Sequence, residues 1–312
     1  MSKKILVIGS LNMDLVVVAS RHPQVGETIL GRSFNTYPGG KGANQAIAAA
    51  RLGASVQMIG CVGEDTFGQA LQENLSKNGV GCTLLKITKN SKSGIALITV
   101  DQTGKNSIIV VPGANHNLLP DDLEALEKDI AAAGMVILQM EIPLDTVWKS
   151  IRMARMHDVP VLLNPAPANS IPDEYLGGLD YLVANESELN SITGLPTHTL
   201  PLIIKAVKVL KTKGVKRVIL TRGEHGCYYM DRETEYKISS YKVNPIDTTA
   251  AGDAFIGGFA HSLVLGENVQ DALRTGVAAG ALAVTKAGAQ TSLPTRQEFE
   301  CFLKKYRNKE EV

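Results

Sequence analysis

The stretch Ile5-Leu6-Val7-Ile8 is the first of several short apolar runs rich in valine and isoleucine, and these runs decide the fold class. The later runs are Val56 to Cys61, Met135 to Met140, Val159 to Leu163, Tyr181 to Ala184 and Val218 to Leu220. Longer alanine-rich or amphipathic stretches follow them, a pattern typical of alternating strands and helices. Strands that are apolar throughout are covered on both faces, so we predict a doubly wound α/β fold with a mostly parallel sheet.

Five stretches between or after these strands have the clearest helical pattern. They are Asn44 to Leu52, Asp122 to Ala132, Pro201 to Lys213, Asp253 to Leu265 and Val269 to Thr285. With 312 residues, the chain has the length of one large domain with an accessory piece. We therefore treat residues 1–312 as a single α/β domain.

Two regions, about 14–38 and 93–111, depart from this alternation because they contain predicted strands without intervening helices. In the second region, Ile95 to Val100, a turn at Asp101 to Gly104, and Ser107 to Val111 predict a β-hairpin. Both regions flank glycine-rich sequence, so we expect one small β-sheet that covers a ligand as a lid. The alternative is that they extend the main sheet as antiparallel edge strands.

Composition and charge argue against several classes of protein. The 32 Lys and Arg residues are balanced by 31 Asp and Glu residues, without the basic patch of a nucleic-acid-binding protein. No run of 18 apolar residues would span a bilayer, and Asn12 and Asp14 interrupt the apolar N-terminal stretch that otherwise resembles a secretory signal. The 4 cysteines form no CxxC pair, which favours a reducing cytoplasm. None of the 6 histidines has metal-ligand spacing or lies beside a GxSxG nucleophile, which disfavours a histidine-based hydrolase.

The segment Asp247-Thr248-Thr249-Ala250-Ala251-Gly252-Asp253 directly precedes an apolar helical run and has the features of an anion site. The N–H groups in the first turn of a helix are unpaired, and the positive end of the helix dipole lies behind them. A carboxylate at position 253 opposes anion binding unless it accepts a proton from a nucleophile that attacks a bound phosphoryl group. The alternative is that Asp253 only caps the helix.

A second glycine-rich segment, Pro38-Gly39-Gly40-Lys41-Gly42-Ala43-Asn44, opens a predicted helix. Bare backbone at such a place can approach a ligand closely, although isolated glycine-rich turns are usually structural. It is not a Walker A loop, because Asn35 and Gly42 occupy the positions of that motif's first glycine and its Ser or Thr. The absence of a GxGxxG motif argues against nicotinamide and flavin binding.

Polar residues follow the predicted strands at their carboxyl ends, where open parallel sheets bind ligands. Asn12 and Asp14 share one face of an extended segment and can hold vicinal hydroxyls, and Glu141 follows the third strand. Asn185, Glu186 and Glu188 offer the oxygen ligands that magnesium prefers. The loop Thr221-Arg222-Gly223-Glu224-His225-Gly226 suits nucleotide phosphates. Ordinary turns and a helix start are the alternatives for these segments.

In this order, the motifs resemble those of the ribokinase-like family of carbohydrate kinases over nearly the whole chain. The matching segments are Asn12-x-Asp14, Gly39 to Asn44, Asn164-Pro165-Ala166-Pro167-Ala168, Asn185-Glu186-x-Glu188, Thr221-x-Gly223 and Asp247 to Asp253. The resemblance implies ATP-dependent phosphorylation of D-ribose at its O5 hydroxyl, on a doubly wound α/β domain with a β-sheet lid. It also implies a homodimer that forms through the lid.

The resemblance also assigns roles to residues. Asp253 would be the base, and the N–H groups around Ala250, Ala251 and Gly252 would form an anion hole for the γ-phosphoryl group. The sugar would be held by Asn12, Asp14, Gly39, Gly40, Lys41, Gly42, Asn44 and Glu141. The nucleotide would contact Asn185, Thr221, Arg222, Gly223, Glu224, His225, Gly226 and Gly252. Glu188 would serve Mg²⁺, and a monovalent cation such as K⁺ would lie near Asp247, Thr249, Gly288 and Ser292.

Two departures from the family pattern bear on substrate choice. Val277 stands where many relatives place Asn or His against the nucleoside, and Ala254-Phe255-Ile256 follows the base in a form that resembles deoxyribose kinases. Asn12 favours a sugar with a 2-hydroxyl, because without that partner its buried amide would lose a hydrogen bond. The alternatives are a kinase for deoxyribose, fructose or adenosine, and a non-catalytic sugar-binding regulator, which an intact Asp253, Lys41 and Glu188 disfavour.

Overall fold

The computed structural model describes residues 3–310, with side chains described as far as residue 306, and two β-sheets lie in that part. The strands are β1 (Ile5–Ile8), β2 (Asn12–Ala19), β3 (Gly31–Gly39), β4 (Val56–Gly63), β5 (Val80–Thr88), β6 (Gly94–Val100), β7 (Asn106–Val111), β8 (Met135–Leu138), β9 (Val161–Leu163), β10 (Tyr181–Asn185), β11 (Arg217–Thr221), β12 (Cys227–Met230) and β13 (Glu235–Ile238). The α-helices are α1 (Lys41–Leu52), α2 (Thr66–Lys77), α3 (Glu127–Ala131), α4 (Leu144–Met156), α5 (Asp173–Leu176), α6 (Glu186–Thr193), α7 (Leu200–Thr212), α8 (Ala251–Val264), α9 (Val269–Ala283) and α10 (Arg296–Glu310). Short 3₁₀ helices occupy Gly113–Asn117, Pro120–Leu126 and Gly223–His225.

The larger sheet has the strand order β13-β12-β11-β10-β9-β8-β1-β4-β5. Its strands from β5 to β11 pair in parallel, and β12 and β13 add an antiparallel edge. The chain winds outward from β1 in one direction through β4 and β5, and later in the other direction from β8. The switch point between β1 and β8 is the place where open α/β sheets bind ligands.

Strand β1 explains why the apolar runs are unbroken. Its successive side chains point to opposite faces of the sheet, as in any strand. Ile5 and Val7 join a core with α1, α8 and α9, whereas Leu6 and Ile8 join a second core with α4 and α7. The predicted doubly wound arrangement is therefore confirmed.

The second sheet contains four strands in the order β3-β2-β6-β7. Strand β2 pairs with β3 antiparallel and with β6 in parallel, and β6 and β7 form the predicted hairpin. The regions about 14–38 and 93–111 thus form a separate small sheet rather than edge strands of the main one. Asn12, the first residue of β2, pairs with both Gly39 and Gly94, where the small sheet meets the larger one.

The helix predicted for Asp122 to Ala132 begins differently from the prediction. A 3₁₀ helix occupies Pro120–Leu126, and α3 follows from Glu127. The Asp122 carboxylate accepts a hydrogen bond from the N–H of Leu119 and pairs with Lys86 at 2.7 Å. The Lys86 contact ties the first turn of the 3₁₀ helix to β5, and the Leu119 contact closes that turn.

In the described range 3–310, none of the helices is both long enough and apolar enough to cross a membrane.

Candidate active site

Asp253 lies in the first turn of α8, which packs closely against α1. A side chain at Gly257 would collide with the Cβ of Ala48 and come within 2.7 Å of the N atom of Ala49, so glycine permits this contact. Asp253 lies one helical turn before Gly257, and Asn44 and Gln45 lie one turn before the alanines. The same helix contact therefore places Asp253 next to Asn44 and Gln45. The contact between the two helices therefore sets the position of the aspartate.

Asp253 is buried, with 6% of the residue's surface exposed, and both of its carboxylate oxygens accept side-chain hydrogen bonds. Asn44 Nδ2 donates to Oδ2 and Gln45 Nε2 donates to Oδ1, each at 2.9 Å. Ala250 is the N-cap residue of α8, and no side chain caps that helix, so Asp253 is not a helix cap. The Oδ1 of Asn44 is also buried and has no partner among the described residues.

The backbone before Asp253 presents free N–H groups. Ala250 has a left-handed conformation with φ 58°, which is uncommon for a residue other than glycine. A left-handed residue that leads into a helix turns successive N–H groups toward one side and forms an anion-binding concavity. The N–H of Ala251 donates to the carbonyl of Thr248 at 3.2 Å, whereas no acceptor in residues 3–310 pairs with the N–H groups of Ala250, Gly252 and Asp253.

The candidates for a monovalent-cation site lie in two adjoining loops. Asp247 accepts hydrogen bonds from the N–H of Thr249 at 2.9 Å and from that of Gly288 at 2.8 Å. Burial opposes the ionised form of Asp247, but the hydrogen bonds from the Thr249 side chain and from these two N–H groups outweigh burial and keep the pKa of Asp247 below its ordinary value. Ser292 lies in the same loop as Gly288 and donates its hydroxyl to the carbonyl of Ala289.

The glycines around the start of α1 are required because this segment packs closely on residues 9–14, at and before the start of β2. A Cβ on Gly40 would come within 2.7 Å of the N atom of Asn12, and one on Gly42 within 2.6 Å of that of Ser10. A Cβ on Gly39 would collide with the Asp14 carboxylate. Gly40 also has φ 89°, which favours glycine. Because glycine has no side chain, the side chains of Asp14 and Lys41 can approach the same part of the site.

Three carboxylates surround the Lys41 ammonium. Glu141 Oε2 accepts hydrogen bonds from the Ser10 hydroxyl and from the N–H of Lys41. Burial, Glu141 and Asp253 together raise the pKa of Asp14 from 3.8 to about 7. Asp253, and then Glu141 and Glu188, raise the pKa of Lys41 despite its burial. Lys41 therefore neutralises part of a strongly acidic region.

Asn12 has 3% of its surface exposed, and its Oδ1 accepts a hydrogen bond from Asn115 Nδ2 at 2.8 Å. Asn115 lies in the 3₁₀ helix Gly113–Asn117, and its side chain also bonds to the N–H and the carbonyl of Leu11. This pairing fixes the orientation of the Asn12 amide. Its Nδ2 has no acceptor among the described residues, so it remains a donor for a ligand.

A cavity of about 190 Å³ extends from Asp253 to the ends of β10 and β11. Its lining consists of Lys41, Asn164, Val183, Ala184, Asn185, Glu188, Thr221, Thr248, Ala250, Gly252, Asp253 and Ile256. Gly223, Glu224 and His225 form a 3₁₀ turn beside this cavity rather than in its lining, and Gly226 follows the turn. Arg222 pairs with Glu186 at 2.9 Å and so links that turn to α6.

Asn185 and Glu188 form a capping box at the start of α6. The Asn185 side chain accepts from the N–H of Glu188, and Glu188 Oε2 accepts from that of Asn185, so the helix-start interpretation is correct. Burial raises the pKa of Glu188. Its other carboxylate oxygen makes no hydrogen bond within the described chain, so the capping role leaves one oxygen for a metal.

No three His, Cys, Asp or Glu side chains converge on a metal site within the part of the chain that the structure describes. Magnesium is commonly held by one or two carboxylates together with water and substrate phosphates. Glu188 at the wall of the cavity fits that chemistry.

Residues 2–296 match the profile described as pfkB family carbohydrate kinase. The chain belongs to this family. Among curated pfkB relatives, the ribokinase of Bacillus subtilis is 43% identical over 299 residues, 96% of this chain and 98% of that protein. The deoxyribokinase of Salmonella typhi is 39% identical over 300 residues, with the same coverage of 96% and 98%. The solved structure of Arabidopsis thaliana ribokinase complexed with ribose and ATP has a TM-score of 0.90 and 35% identity, and covers 97% of this chain and 99% of its own.

Membership of the pfkB family makes this chain a sugar kinase, a phosphotransferase whose acceptor is an alcohol group. The resemblance to carbohydrate kinases inferred from the motifs is thereby confirmed. Sequence reasoning missed Ser10, Gln45, Asn115 and Gln139, which contact predicted site residues or one another. Gln45 directly follows the glycine-rich segment and Gln139 lies two residues before Glu141, and this proximity was the available signal.

Proposed function

We propose that this pfkB kinase transfers the γ-phosphoryl group of ATP to the O5 hydroxyl of D-ribose. The observation that carries the proposal is the buried Asp253 carboxylate, held by two amide donors beside free backbone N–H groups. The similarity to ribokinases along almost the entire chain supports ribose as the acceptor.

In this reaction, Asp253 accepts the O5 proton as O5 forms a bond to the γ-phosphorus. The bond from that phosphorus to the bridging oxygen of ADP breaks, and ADP leaves with the electron pair. The N–H groups of Ala250, Gly252 and Asp253 and the Lys41 ammonium stabilise the negative charge on the transferred group. A Cβ built on Gly252 meets no atom within 4 Å, which supports open space for a phosphate there.

The remaining assignments follow from the same arrangement. Asn12, Asp14, Glu141 and the segment Gly39 to Asn44 hold the sugar hydroxyls, and the free Nδ2 of Asn12 supplies a donor. Glu188 and Asn185 would hold Mg²⁺, which supplies positive charge to the phosphates when bound. Thr221, Gly252 and the loop 222–226 border the nucleotide.

A monovalent cation, K⁺ in this proposal, is held beside the anion hole by the loops of Asp247, Thr249, Gly288 and Ser292. Asp247 connects the two loops through its hydrogen bonds to Thr249 and Gly288. The lowered pKa of Asp247 keeps it anionic at neutral pH, as a cation site requires.

The small sheet acts as the lid and also as the dimer interface in this proposal. Phe34, Leu97 and Ile109 lie on one face of this sheet and are 60%, 43% and 65% exposed. Contiguous exposed apolar surface of this kind marks interaction sites. The enzyme works in the cytoplasm, where the free thiols of Cys61, Cys82, Cys227 and Cys301 stay reduced.

A second candidate acceptor is 2-deoxyribose, because a curated deoxyribokinase is 39% identical to this chain. Assays of ATP-dependent ADP release with ribose, 2-deoxyribose, fructose and adenosine, each with and without K⁺, decide between acceptors. We expect the highest kcat/KM with ribose and a dependence on K⁺. A higher kcat/KM with 2-deoxyribose would assign the deoxyribose reaction, and sugar binding without ADP release would indicate a non-catalytic protein.

A further inference from the structure

A chain of buried amide side chains reaches the base from the end of β8. Gln45 Nε2 donates to Asp253 Oδ1 at 2.9 Å and to Asn164 Oδ1 at 3.2 Å. Gln139 Nε2 donates to Gln45 Oε1 at 2.6 Å. Gln45 and Gln139 are both 0% exposed, so bulk water does not replace these contacts.

The donors and acceptors around these side-chain amides fix the orientation of each one. An ionised carboxylate only accepts hydrogen bonds, so the NH₂ group of Gln45 faces Asp253. Asn164 donates its own NH₂ group to the carbonyl of Val183 at 3.0 Å, which leaves its oxygen to accept from Gln45. Both hydrogens of Gln45 are then used, and its oxygen requires a donor. Gln139 is that donor.

The fold makes room for this donor at the end of β1. A side chain on residue 9 would collide with the Oε1 of Gln139, so glycine at that position is needed for Gln139 to lie where it does. Gln139 Oε1 itself has no partner in residues 3–310. A buried acceptor without a partner is costly, which argues that the Gln139 amide is retained for the contact of its NH₂ group.

We propose that Gln139 is a positioning residue that orients the Asp253 base through Gln45. Without the Gln139 donor, the buried Gln45 oxygen loses its hydrogen bond and the Gln45 amide rotates away to find another. Asp253 Oδ1 is then released and the carboxylate departs from the geometry required for proton transfer. This inference rests on the proposed role of Asp253 in phosphoryl transfer.

The test is a double-mutant cycle with Gln139→Met and Gln45→Met, which nearly preserve side-chain length and remove the amide. We expect Gln139→Met alone to lower kcat by about 10-fold or more, because small displacements of catalytic groups have effects of this size. The KM values for ribose and ATP should stay within about two-fold, since Gln139 is fully buried and does not line the cavity. In the Gln45→Met background, adding Gln139→Met should leave kcat unchanged, because its effect passes through Gln45.

Gln57→Met is the matched control, since Gln57 is also buried, at 8% exposure, and donates to Thr83 away from the site. It should lower thermal stability as Gln139→Met does and leave kcat unchanged. If Gln139→Met does not fold, Gln139→Asn, which keeps an amide but is too short to reach Gln45, takes its place in both backgrounds.

An unchanged kcat in Gln139→Met, an equal loss in Gln57→Met, or multiplied losses in the double variant would overturn the positioning role. ADP release by the wild-type enzyme distinguishes failure of the positioning role from failure of the proposed function. If wild type releases ADP with a sugar and the cycle is additive, only the positioning role fails. If wild type releases none with any sugar, both fail.

Discussion

Asp253 is the residue on which the proposed chemistry depends, and Asp253→Asn tests it with little change of shape. The amide cannot accept the O5 proton, so kcat should fall by about 10²- to 10⁴-fold, while the KM for the sugar changes little. Steady-state ADP release measures both constants. Asp271→Asn makes the same chemical change in the first turn of α9, away from the cavity, and should retain activity. Near-normal turnover in Asp253→Asn would exclude Asp253 as the base.

The raised pKa of Asp14 makes the free energy of unfolding fall as pH rises, whereas an aspartate with a lowered pKa makes it increase. The pKa of Asp14 is raised from 3.8 to about 7 in the folded protein, so the folded state holds a proton that the unfolded state has lost. Its stabilising contribution is therefore complete below pH 3.8 and is lost as pH rises toward 7.

Asp14→Asn removes this titration. Relative to wild type, its free energy of unfolding should increase between pH 5 and 8 by on the order of 2 kcal/mol. Urea denaturation at both pH values measures the change. Asp101→Asn is the control, because a hydrogen bond from the Thr103 side chain lowers the pKa of Asp101, so its difference from wild type should not vary between pH 5 and 8. A flat difference for Asp14→Asn would contradict the raised pKa.

In the larger sheet, the parallel strands at the centre were predictable, whereas the strands at its edges, β5, β12 and β13, were not. The six apolar runs correspond to β1, β4, β8, β9, β10 and β11. Strand β5 is only partly buried along most of its length and β13 alternates between exposed and half-buried positions, so neither leaves a continuous apolar run. The sequence pattern thus predicted the centre of the sheet and missed its edges.

The contact between α1 and α8 holds Asp253 in place, and Gly257→Ala tests this contact. The added methyl would press on Ala48 and Ala49, separate the helices and shift Asp253 from Asn44 and Gln45. Overpacking of this kind costs about 1–3 kcal/mol of stability, and kcat should fall as well. Denaturant unfolding and steady-state kinetics measure the two effects.

Gly177→Ala is the control for this substitution, because its methyl meets only the Lys213 carbonyl, at 4.0 Å. It should leave both the free energy of unfolding and kcat nearly unchanged. Wild-type stability and activity in Gly257→Ala would show that the two helices do not position Asp253 through this contact.

At the scale of the whole molecule, the site combines segments that are distant in sequence. Motifs predicted which segments contribute, because the carboxyl ends of parallel strands share one edge of a sheet. Motifs did not predict that Gln45 contacts both Asp253 and Gln139, because residues 208 and 94 positions apart in sequence come together only by tertiary packing. No spacing of Asn and Gln residues along a sequence predicts that their side chains will form such a series of hydrogen bonds.

The proposed homodimer is also a property of the whole molecule, and Ile109→Lys tests it. Ile109 is 65% exposed on β7, an outer strand of the small sheet. A lysine at this position would be buried without a partner of opposite charge if the dimer forms through this sheet. We expect sedimentation to give twice the 33.4 kDa chain mass for wild type and the monomer mass for the variant. Leu265→Lys is the control, because Leu265 is 53% exposed at the end of α8 outside the small sheet, and it should remain dimeric. Wild type that sediments as a monomer, or a dimeric Ile109→Lys variant, would argue against this interface, because a closed apolar contact does not tolerate an unpaired charge.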